Sequence, residues 1–407
     1  MTAIVGILNK RAVAIAADST ITVKKDGKTK FFNNARKIFS LSDDIPVGIM
    51  MTGDIEFMGM PWDVIFGQYK AYRNGKPLPH LKDYMADFLS FLTSFPQLNT
   101  NEVYNSYLYE ELTNYYYTRK FIADSRVREE QDKATKRTFT DYLAEVVVED
   151  MDAFSDSCQS ENMKEIGYKK FYAIAKKQFE ALKETMSCEG VPTDTLPLWE
   201  HIFYEYITSS EYFINSQIIF TGYGADEIYP SIQAATLSGI IDGKLRFHHD
   251  SYNEITDACR SAIIPFAQYD VMIGLLNGIA PDMYRNIMEK MDEYIEKARE
   301  LIITRISEAG YGIKIREILK SVPFDDLSTA FSEDIHKFVC EHYTDNLLET
   351  VNFLNASEMA DMAESLISIT ALQKHCTSSE ESVGGPVTVA VITKAEGFGW
   401  VKTGERL

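Results

Sequence analysis

The chain has little of what marks secreted, membrane-spanning or nucleic-acid-binding proteins. Its 407 residues contain only five cysteines, an odd number at scattered positions, which is typical of reduced thiols rather than of a disulfide framework. No apolar run is long enough to span a bilayer, and the N-terminus lacks the basic-then-apolar layout of a signal peptide. These absences predict a soluble protein of the cytoplasm.

Positive charge is also scarce. Lys and Arg total 41 against 60 Asp and Glu, which gives a net charge of −19. So acidic a chain is repelled by phosphate backbones and anionic lipid, so the composition argues against nucleic acid or membrane as a partner. The hydrophobic content of 45% is ample for a globular core.

The second residue is a candidate nucleophile. Thr2 follows the initiator Met1, and aminopeptidases remove Met when the next side chain is this small, so we expect a mature chain that begins with Thr2. Its hydroxyl and a free α-amine, with a pKa near ~8, would then share one residue. Such a pair allows the amine to act as the base that activates the hydroxyl.

The residues after Thr2 predict a strand hairpin that returns to the N-terminus. Residues 3–8 and 12–17 are apolar runs of strand length, separated by the polar pair Lys10-Arg11. The second run ends in Asp18, at the point where a hairpin partner of the first strand comes back to Thr2. Further strands are predicted within 33–41 and 45–51, before the first helix.

Helices and strands then alternate along the chain in blocks. Helices are predicted over 54–72 and 81–95, over the Tyr-rich stretch 98–212, and over 269–278, 281–308 and 312–378. Strands are predicted over 217–224, 227–235, 244–247, 387–393 and 398–402. Blocks in this order fit two stacked sheets with helices on their outer faces.

Several short segments together resemble the proteasome β-subunit family of N-terminal nucleophile hydrolases. They are Thr2-Ala3-Ile4-Val5-Gly6, Ala16-Ala17-Asp18-Ser19, Ala35-Arg36-Lys37-Ile38-Phe39, Met51-Thr52-Gly53-Asp54, and the segment from Gly384-Gly385-Pro386 to Thr393. Each is unspecific alone, but their order and spacing match the family. The resemblance covers residues 2 to about 95, roughly 215–280 and 380–403.

The resemblance implies an α+β fold, a four-layer αββα sandwich with large helical insertions. It further implies one domain over 2–407, with core segments 2–97, 213–280 and 380–407. Residues 98–212 would be a helical insertion, and 281–379 a helical segment that includes a second one. A homo-oligomer is a further expectation from the family.

The resemblance also assigns roles to particular residues. Thr2 would attack an amide carbonyl and form an acyl-enzyme, while Lys37 would lower the pKa of Thr2 or take part in proton transfer. Asp18 would keep Lys37 charged and oriented. The backbone N–H of Met50, where the family usually has Gly, would form the oxyanion hole. Two further sets follow from the same alignment: supporting residues Ser261, Glu381 and Ser382, and pocket residues Ile21, Ala35, Gly48 and Thr52.

Three functions stay open on the sequence. The first is a threonine-type hydrolase that cleaves peptide bonds, and the second is an amidohydrolase of the same mechanism acting on a small amide. The third is a catalytically silent relative that serves as a binding or assembly subunit. None of the three calls for a cofactor or a metal.

Other patterns have simpler interpretations. Gly222-Tyr223-Gly224 is interpreted as a turn at a strand end, because no phosphate-loop Lys or helix follows. His248-His249-Asp250 is expected to face solvent, and the Tyr-rich run 107–117 to pack helices or to form a subunit interface. Cys340-x-His342 with His375-Cys376 matches no common zinc spacing.

Overall fold

A computed structural model describes most of the chain. The described residues are 2–25, 28–32, 35–42, 44–129, 137–156, 162–163, 165–211, 214–310, 325–377 and 383–403. Two of the predicted supporting residues, Glu381 and Ser382, lie outside these ranges. Within them the protein is a mixed α/β structure with several antiparallel sheets.

The strands fall into an N-terminal, a central and a C-terminal group. They are β1 Ile4–Asn9, β2 Val13–Ala17, β3 Ile21–Lys25, β4 Lys28–Phe32, β5 Ile38–Ser40, β6 Val47–Gly53, β7 Glu56–Phe57, β8 Met60–Pro61, β9 Ser216–Gly222, β10 Ser231–Ile241, β11 Lys244–Glu254, β12 Ser261–Phe266, β13 Thr388–Thr393 and β14 Gly397–Lys402.

The helices separate these groups. They are α1 Trp62–Arg73, α2 Leu81–Ser94, α3 Asn101–Glu129, α4 Phe139–Asp156, α5 Tyr168–Cys188, α6 Leu196–Thr208, α7 Tyr269–Asn277, α8 Pro281–Glu308, α9 Asp325–Val339, α10 Asp345–Phe353 and α11 Ala356–Thr377. A short 3-10 turn, Thr193–Thr195, precedes α6, and a π-helical turn, Cys340–Thr344, joins α9 to α10. None of the helices of the described residues combines the length and hydrophobicity needed to cross a bilayer.

Among the described residues, ten strands form two five-stranded sheets. The first sheet has the order β12-β1-β2-β13-β14 and the second the order β11-β10-β9-β6-β5. The pairs β1–β2, β1–β12, β5–β6, β6–β9, β9–β10 and β10–β11 are all antiparallel. The chain divides into two compact units, residues 1–35, 255–391 and 399–407 in unit 1, and 36–254 and 392–398 in unit 2.

Unit 1 is built on the hairpin predicted from the first 17 residues. One face of β1 and β2 carries alternate small apolar side chains, because side chains alternate between the faces of a strand. Helix α11 packs against this face. The alanines at 12, 14 and 16 meet Ala360 and Ala363 of the helix in one buried cluster, and side chains of this size let a helix lie close to a sheet.

Asn9 closes the hairpin and ties it to the helices. Its Oδ1 accepts the N–H groups of Arg11 (2.9 Å) and Ala12 (3.1 Å). Its Nδ2 donates to the carbonyls of Val351 and Leu354, both at 2.9 Å, at the end of α10. All four groups are thereby satisfied around a fully buried side chain.

Unit 2 has an aromatic core between its sheet and the helices α1 and α2. Trp62, Phe66 and Tyr69 of α1 pack with Phe88 of α2 and with Phe220 of β9. Burial of each such side chain stabilises the fold by about 1.5–3 kcal/mol. The indole N–H of Trp62 also donates to Ser216 Oγ, at 2.9 Å, so this large side chain is buried with its polar atom paired.

The helices α3 to α6 form a bundle with a hydrophobic core of its own. Tyr115, Trp199, Phe203 and Tyr206 lie in this core, with ring centroids 4.7–6.5 Å apart in most pairs. The helical character predicted for 98–212 is therefore confirmed in the described residues of that range. Tyr115 and Tyr116 pack inside this bundle, which agrees with the helix-packing interpretation of the Tyr-rich run.

A buried ion pair joins the bundle to the second sheet. Glu111 of α3 and Arg246 of β11 are both fully buried, and Glu111 Oε1 lies 2.9 Å from Arg246 Nη1. The same Nη1 donates to Tyr107 Oη at 2.8 Å, and the hydroxyl of Tyr206 donates to Glu111. Burial raises the pKa of the Tyr107 and Tyr206 hydroxyls, so both stay neutral.

Two local predictions need correction. Residues 54–61 begin no helix, because Met58 and Gly59 have positive φ (52° and 79°) and form the turn of the hairpin β7–β8, so α1 begins only at Trp62. The strand predicted over 227–235 begins at Ser231 instead.

The Gly222-Tyr223-Gly224 segment is a strand-end turn, as predicted. Gly222 ends β9 with φ +132°, and a Cβ on it would collide with the Pro46 carbonyl. A Cβ on Gly224 would collide with the backbone of Pro79 and His80. Close backbone approach therefore requires glycine at both positions.

The buried ion pair generates a stability prediction. We expect Arg246→Met to lower the free energy of unfolding by about 3–5 kcal/mol, because it leaves the Glu111 carboxylate buried without its cation. Urea unfolding followed by tyrosine and tryptophan fluorescence measures the loss. The double variant Arg246→Met with Glu111→Leu should recover most of it, since the uncompensated charge is then removed as well.

Lys290→Met is the matched control. It breaks an exposed ion pair with Glu293, 2.8 Å long, and exposed pairs contribute little, so its urea midpoint should equal that of the parent chain. An Arg246→Met chain with the parent midpoint would contradict the role assigned to the buried pair.

Candidate active site

Thr2 and Asp18 meet at one end of the hairpin. Thr2 lies two residues before β1 and is 8% exposed, and Asp18 directly follows β2 and is 1% exposed. The N–H of Ala3 donates to Asp18 Oδ1 at 2.9 Å, and the Asp18 N–H donates to the Ala3 carbonyl at 3.1 Å. Because Ala3 N belongs to the peptide bond that Thr2 forms, the carboxylate holds the predicted nucleophile's own backbone.

The segment after Asp18 gathers two further parts of unit 1. Asp18 Oδ2 accepts the N–H groups of Thr20 (3.3 Å) and Gly384 (3.2 Å). Ser19 donates its N–H to the Gly384 carbonyl at 3.3 Å. The Gly-Gly turn before β13, noticed in the sequence but not assigned to the site, is thus brought to Asp18.

One predicted pocket residue, Ala35, lies next to this segment. Its N–H donates to the Ser19 carbonyl at 2.9 Å, so the chain beyond the β3–β4 hairpin returns to the end of β2. Ile21 begins β3, where it pairs with Phe32.

Lys37 lies in unit 2, directly before β5. It is only 6% exposed, whereas lysine side chains are seldom buried without compensation. Its carbonyl accepts the N–H of Met51 at 3.0 Å, which extends the β5–β6 ladder by one residue beyond the pair Ile38–Met50.

The ladder also decides where the Met50 amide points. Successive residues of an antiparallel strand direct their N–H groups to opposite neighbours. Since the Met51 N–H is directed to β5, the Met50 N–H is directed to its partner on the other side, Ile219 of β9. This N–H is directed into the sheet, toward β9, so the structure gives no support to Met50 as an oxyanion donor.

The other two predicted pocket residues share a face of β6. Gly48 and Thr52 lie four residues apart on the strand, on the side opposite Val47, Ile49 and Met51, which belong to the aromatic core. Gly48 pairs with Thr221 and Thr52 with Gln217.

Ser261 lies far from the predicted nucleophile. It pairs with Asn9, whereas Phe266 pairs with Ile4 at the Thr2 end of β1. At about 3.4 Å per residue this places Ser261 roughly 20 Å or more from Thr2. Its hydroxyl donates to the Leu348 carbonyl at 2.6 Å, so Ser261 joins strand and helix and is not part of this site.

Titratable clusters elsewhere do not assemble a metal site in the described part of the chain, where no group of three or more His, Cys, Asp or Glu side chains is arranged to hold an ion. Cys340, one residue of the zinc alternative, has its Sγ 3.7 Å from Nε2 of His336, which is outside that set. The segment 248–250 is partly exposed, as predicted, but the carboxylate of Asp250 accepts several hydrogen bonds.

Asp250 accepts three side-chain hydrogen bonds. The donors are His248 Nε2 (2.8 Å), Gln217 Nε2 (2.7 Å) and Thr236 Oγ1 (2.9 Å). Asp250 is the extra residue of a β-bulge, since Ala234 pairs with Ser251 and Ala235 with His249. Burial alone would raise the pKa of its carboxyl, but the three hydrogen bonds outweigh it, and the pKa lies below the ordinary value.

This lowered pKa predicts a pH dependence of stability. A carboxyl with a depressed folded-state pKa contributes stability above its unfolded pKa, near ~3.9, and loses it as the pH falls through the folded pKa. We therefore expect Asp250→Asn to be less stable than the parent chain at pH 7 and the gap to shrink below about pH 4. Urea midpoints between pH 3 and 8 test this; a gap that is constant with pH would contradict it.

Comparison with known proteins gives only structural matches. No protein-family model and no curated protein matches the chain. It is similar to Anbu from Hyphomicrobium sp. strain MC1, in two solved structures of which one is a Gly-1 mutant. Each has 10% identity, covers 99% of this chain and 85% of that chain, and has a TM-score of 0.30. Anbu (ancestral beta-subunit) from Yersinia bercovieri has 10% identity, coverage of 98% and 87%, and a TM-score of 0.27. Similarity at this level establishes neither the fold nor the activity.

Proposed function

We propose that the protein is an N-terminal-threonine hydrolase that cleaves peptide bonds through an acyl-enzyme on Thr2. The observation that carries the proposal is the hydrogen bond between Asp18 Oδ1 and the N–H of Ala3, 2.9 Å, because it fixes the peptide bond of Thr2. A nucleophile must be held in a reactive geometry, and a carboxylate anchored in the core does this.

The proposed chemistry uses three side chains. Thr2 Oγ attacks the substrate carbonyl, and the α-amine released by removal of Met1 accepts the hydroxyl proton. The C–N bond then breaks, the leaving amine takes up that proton, and water hydrolyses the ester to Thr2. Lys37 supplies positive charge that favours the ionised hydroxyl, and Asp18 supports the ionised state of Lys37. The burial of Lys37, at 6% exposure, supports a functional lysine rather than a surface charge.

The helical bundle and Lys37 belong to opposite edges of the second sheet. The bundle is held by Arg246 on β11, one edge strand of the second sheet, whereas Lys37 precedes β5, the other edge strand. Four strand spacings of about 4.8 Å separate these edges, roughly 19 Å. The bundle is thus anchored at the edge of this sheet opposite to Lys37.

The proposal includes the finer features that the sequence resemblance implies. These are the four-layer αββα arrangement, the single domain with insertions, the cytoplasmic location and a homo-oligomeric state. The predicted pocket of Ile21, Ala35, Gly48 and Thr52 belongs to the proposal as well, and its small or apolar members would suit a neutral side chain of the substrate.

Intact mass before and after treatment with a peptide epoxyketone tests the nucleophile, since this probe reacts with a threonine hydroxyl and a free α-amine together. We expect loss of Met1 and one adduct per chain. Thr2→Ser keeps the hydroxyl and should still form the adduct, whereas Thr2→Ala removes it and should not. Lys37→Met should slow the reaction by about 100-fold or more, as for the loss of a group that acts in proton transfer.

Two outcomes contradict the proposal in different ways. Retention of Met1 without adduct would leave the silent binding or assembly subunit as the better function. Loss of Met1 without adduct would exclude a peptide-accepting pocket and favour the amidohydrolase of a small substrate, which hydrolysis of a set of acyl amides would then examine.

A further inference from the structure

Asp18 accepts backbone N–H groups from the start of the chain, from its own segment two residues further on, and from residue 384. Ala3 donates to Oδ1, and Thr20 and Gly384 donate to Oδ2, at 2.9, 3.3 and 3.2 Å. Hydrogen bonds to an ionised acceptor are stronger than neutral ones. The carboxylate therefore fixes the start of β1, the end of β2 and the approach to β13 at one point of unit 1.

Both backbone groups of Gly384 form hydrogen bonds with the segment Asp18–Ser19. Its N–H donates to Asp18, and its carbonyl accepts the Ser19 N–H at 3.3 Å. Asp18 and Gly384 are 366 residues apart in sequence, so the contact between them closes a very long loop. β13, which begins at Thr388, then pairs next to β2 in the first sheet.

Space does not explain why residue 384 is a glycine. A Cβ built there would lie 3.6 Å from Thr20 Oγ1, an ordinary van der Waals contact, and the backbone is outside the left-handed region. What residue 384 contributes to the carboxylate is its N–H group, which any residue except proline can supply.

We infer that Gly384 is a positioning residue for Thr2. It acts through Asp18: its N–H holds one carboxylate oxygen, and the other oxygen holds the peptide bond that follows Thr2. Asp18 accordingly positions the nucleophile through the backbone, in addition to its proposed effect on Lys37. This inference rests on the proposed function, because a position matters to catalysis only if Thr2 reacts.

Two hydrogen bonds, Gly384 to Asp18 and Asp18 to Ala3, connect Gly384 with the peptide bond of Thr2, so small displacements can be transmitted between them. Reactive groups must be held within about 0.5 Å of their productive geometry. Loss of the Gly384 N–H leaves Oδ2 with one donor fewer, and the carboxylate can then turn away from Ala3. The result expected is a slower reaction at Thr2 rather than a weaker binding of the probe.

Gly384→Pro and Gly384→Ala form the test pair in the full-length protein. Proline removes the N–H and alanine keeps it, so the alanine variant should lie closer to the parent chain in both of the following measurements. The first is hydrogen–deuterium exchange of the Ala3 and Thr20 amides without any probe. The second is the rate of epoxyketone adduct formation as a function of probe concentration.

We expect Gly384→Pro to speed exchange at both amides by about tenfold, the equivalent of one charge-assisted hydrogen bond. The maximal rate of adduct formation should fall by a similar factor, with little change in the probe concentration at half-maximal rate. Since proline also restricts the preceding residue, Asp18→Asn is the second variant. It removes the charged acceptor without altering the 384 backbone, and it should speed exchange at Ala3, Thr20 and Gly384.

The outcomes separate this inference from the proposed function. A parent chain that forms the adduct, with Gly384→Pro equal to it in exchange and in maximal rate, overturns the positioning role alone. Unchanged exchange in Asp18→Asn also overturns it. A parent chain that forms no adduct overturns the proposed function, and the positioning role with it.

Discussion

A carboxylate that is buried away from water must be surrounded by hydrogen-bond donors or by a cation, and this constraint organises both units of the protein. In unit 1, Asp18 is met by three backbone N–H groups. In unit 2, Glu111 is met by the guanidinium of Arg246 and the hydroxyl of Tyr206. Removing the donors from either carboxylate would leave a buried charge, which costs several kcal/mol.

The two solutions differ in what they hold together. Backbone donors can be arranged around Asp18 only if three segments come to fixed positions, so this carboxylate specifies the path of the main chain. Glu111 is held mainly by side chains, with one backbone N–H, that of Ile214 at 3.3 Å, so it specifies how the bundle α3–α6 docks on β10 and β11. One is suited to placing a reactive residue, and the other to joining a helical bundle to a sheet.

The sequence predicts elements well where a pattern is local. The apolar runs before and after Lys10-Arg11 give the first hairpin, and helical periodicity gives the bundle. The prediction fails at 54–61, where two residues of positive φ, Met58 and Gly59, outweigh helix propensity. The fully buried Glu111 falls on the apolar stripe of Tyr107, Leu108, Leu112 and Tyr115. A charged residue on such a stripe is the signal for a buried partner.

In the candidate site, too, the sequence predicts the contacts that are local and not those that depend on long-range pairing. Asp18 can be placed near Thr2 from the sequence because both lie on one hairpin. Ser261 cannot be placed, because its position depends on which end of β12 lies beside Thr2, and the register puts Phe266 there instead. The direction of the Met50 amide likewise depends on ladder parity, which only the pairing of Met51 with Lys37 reveals. Gly384 is the clearest case, since its importance lies in a backbone N–H that every non-proline residue carries. Its role therefore follows from the long-range contact with Asp18 and from no property of the residue type.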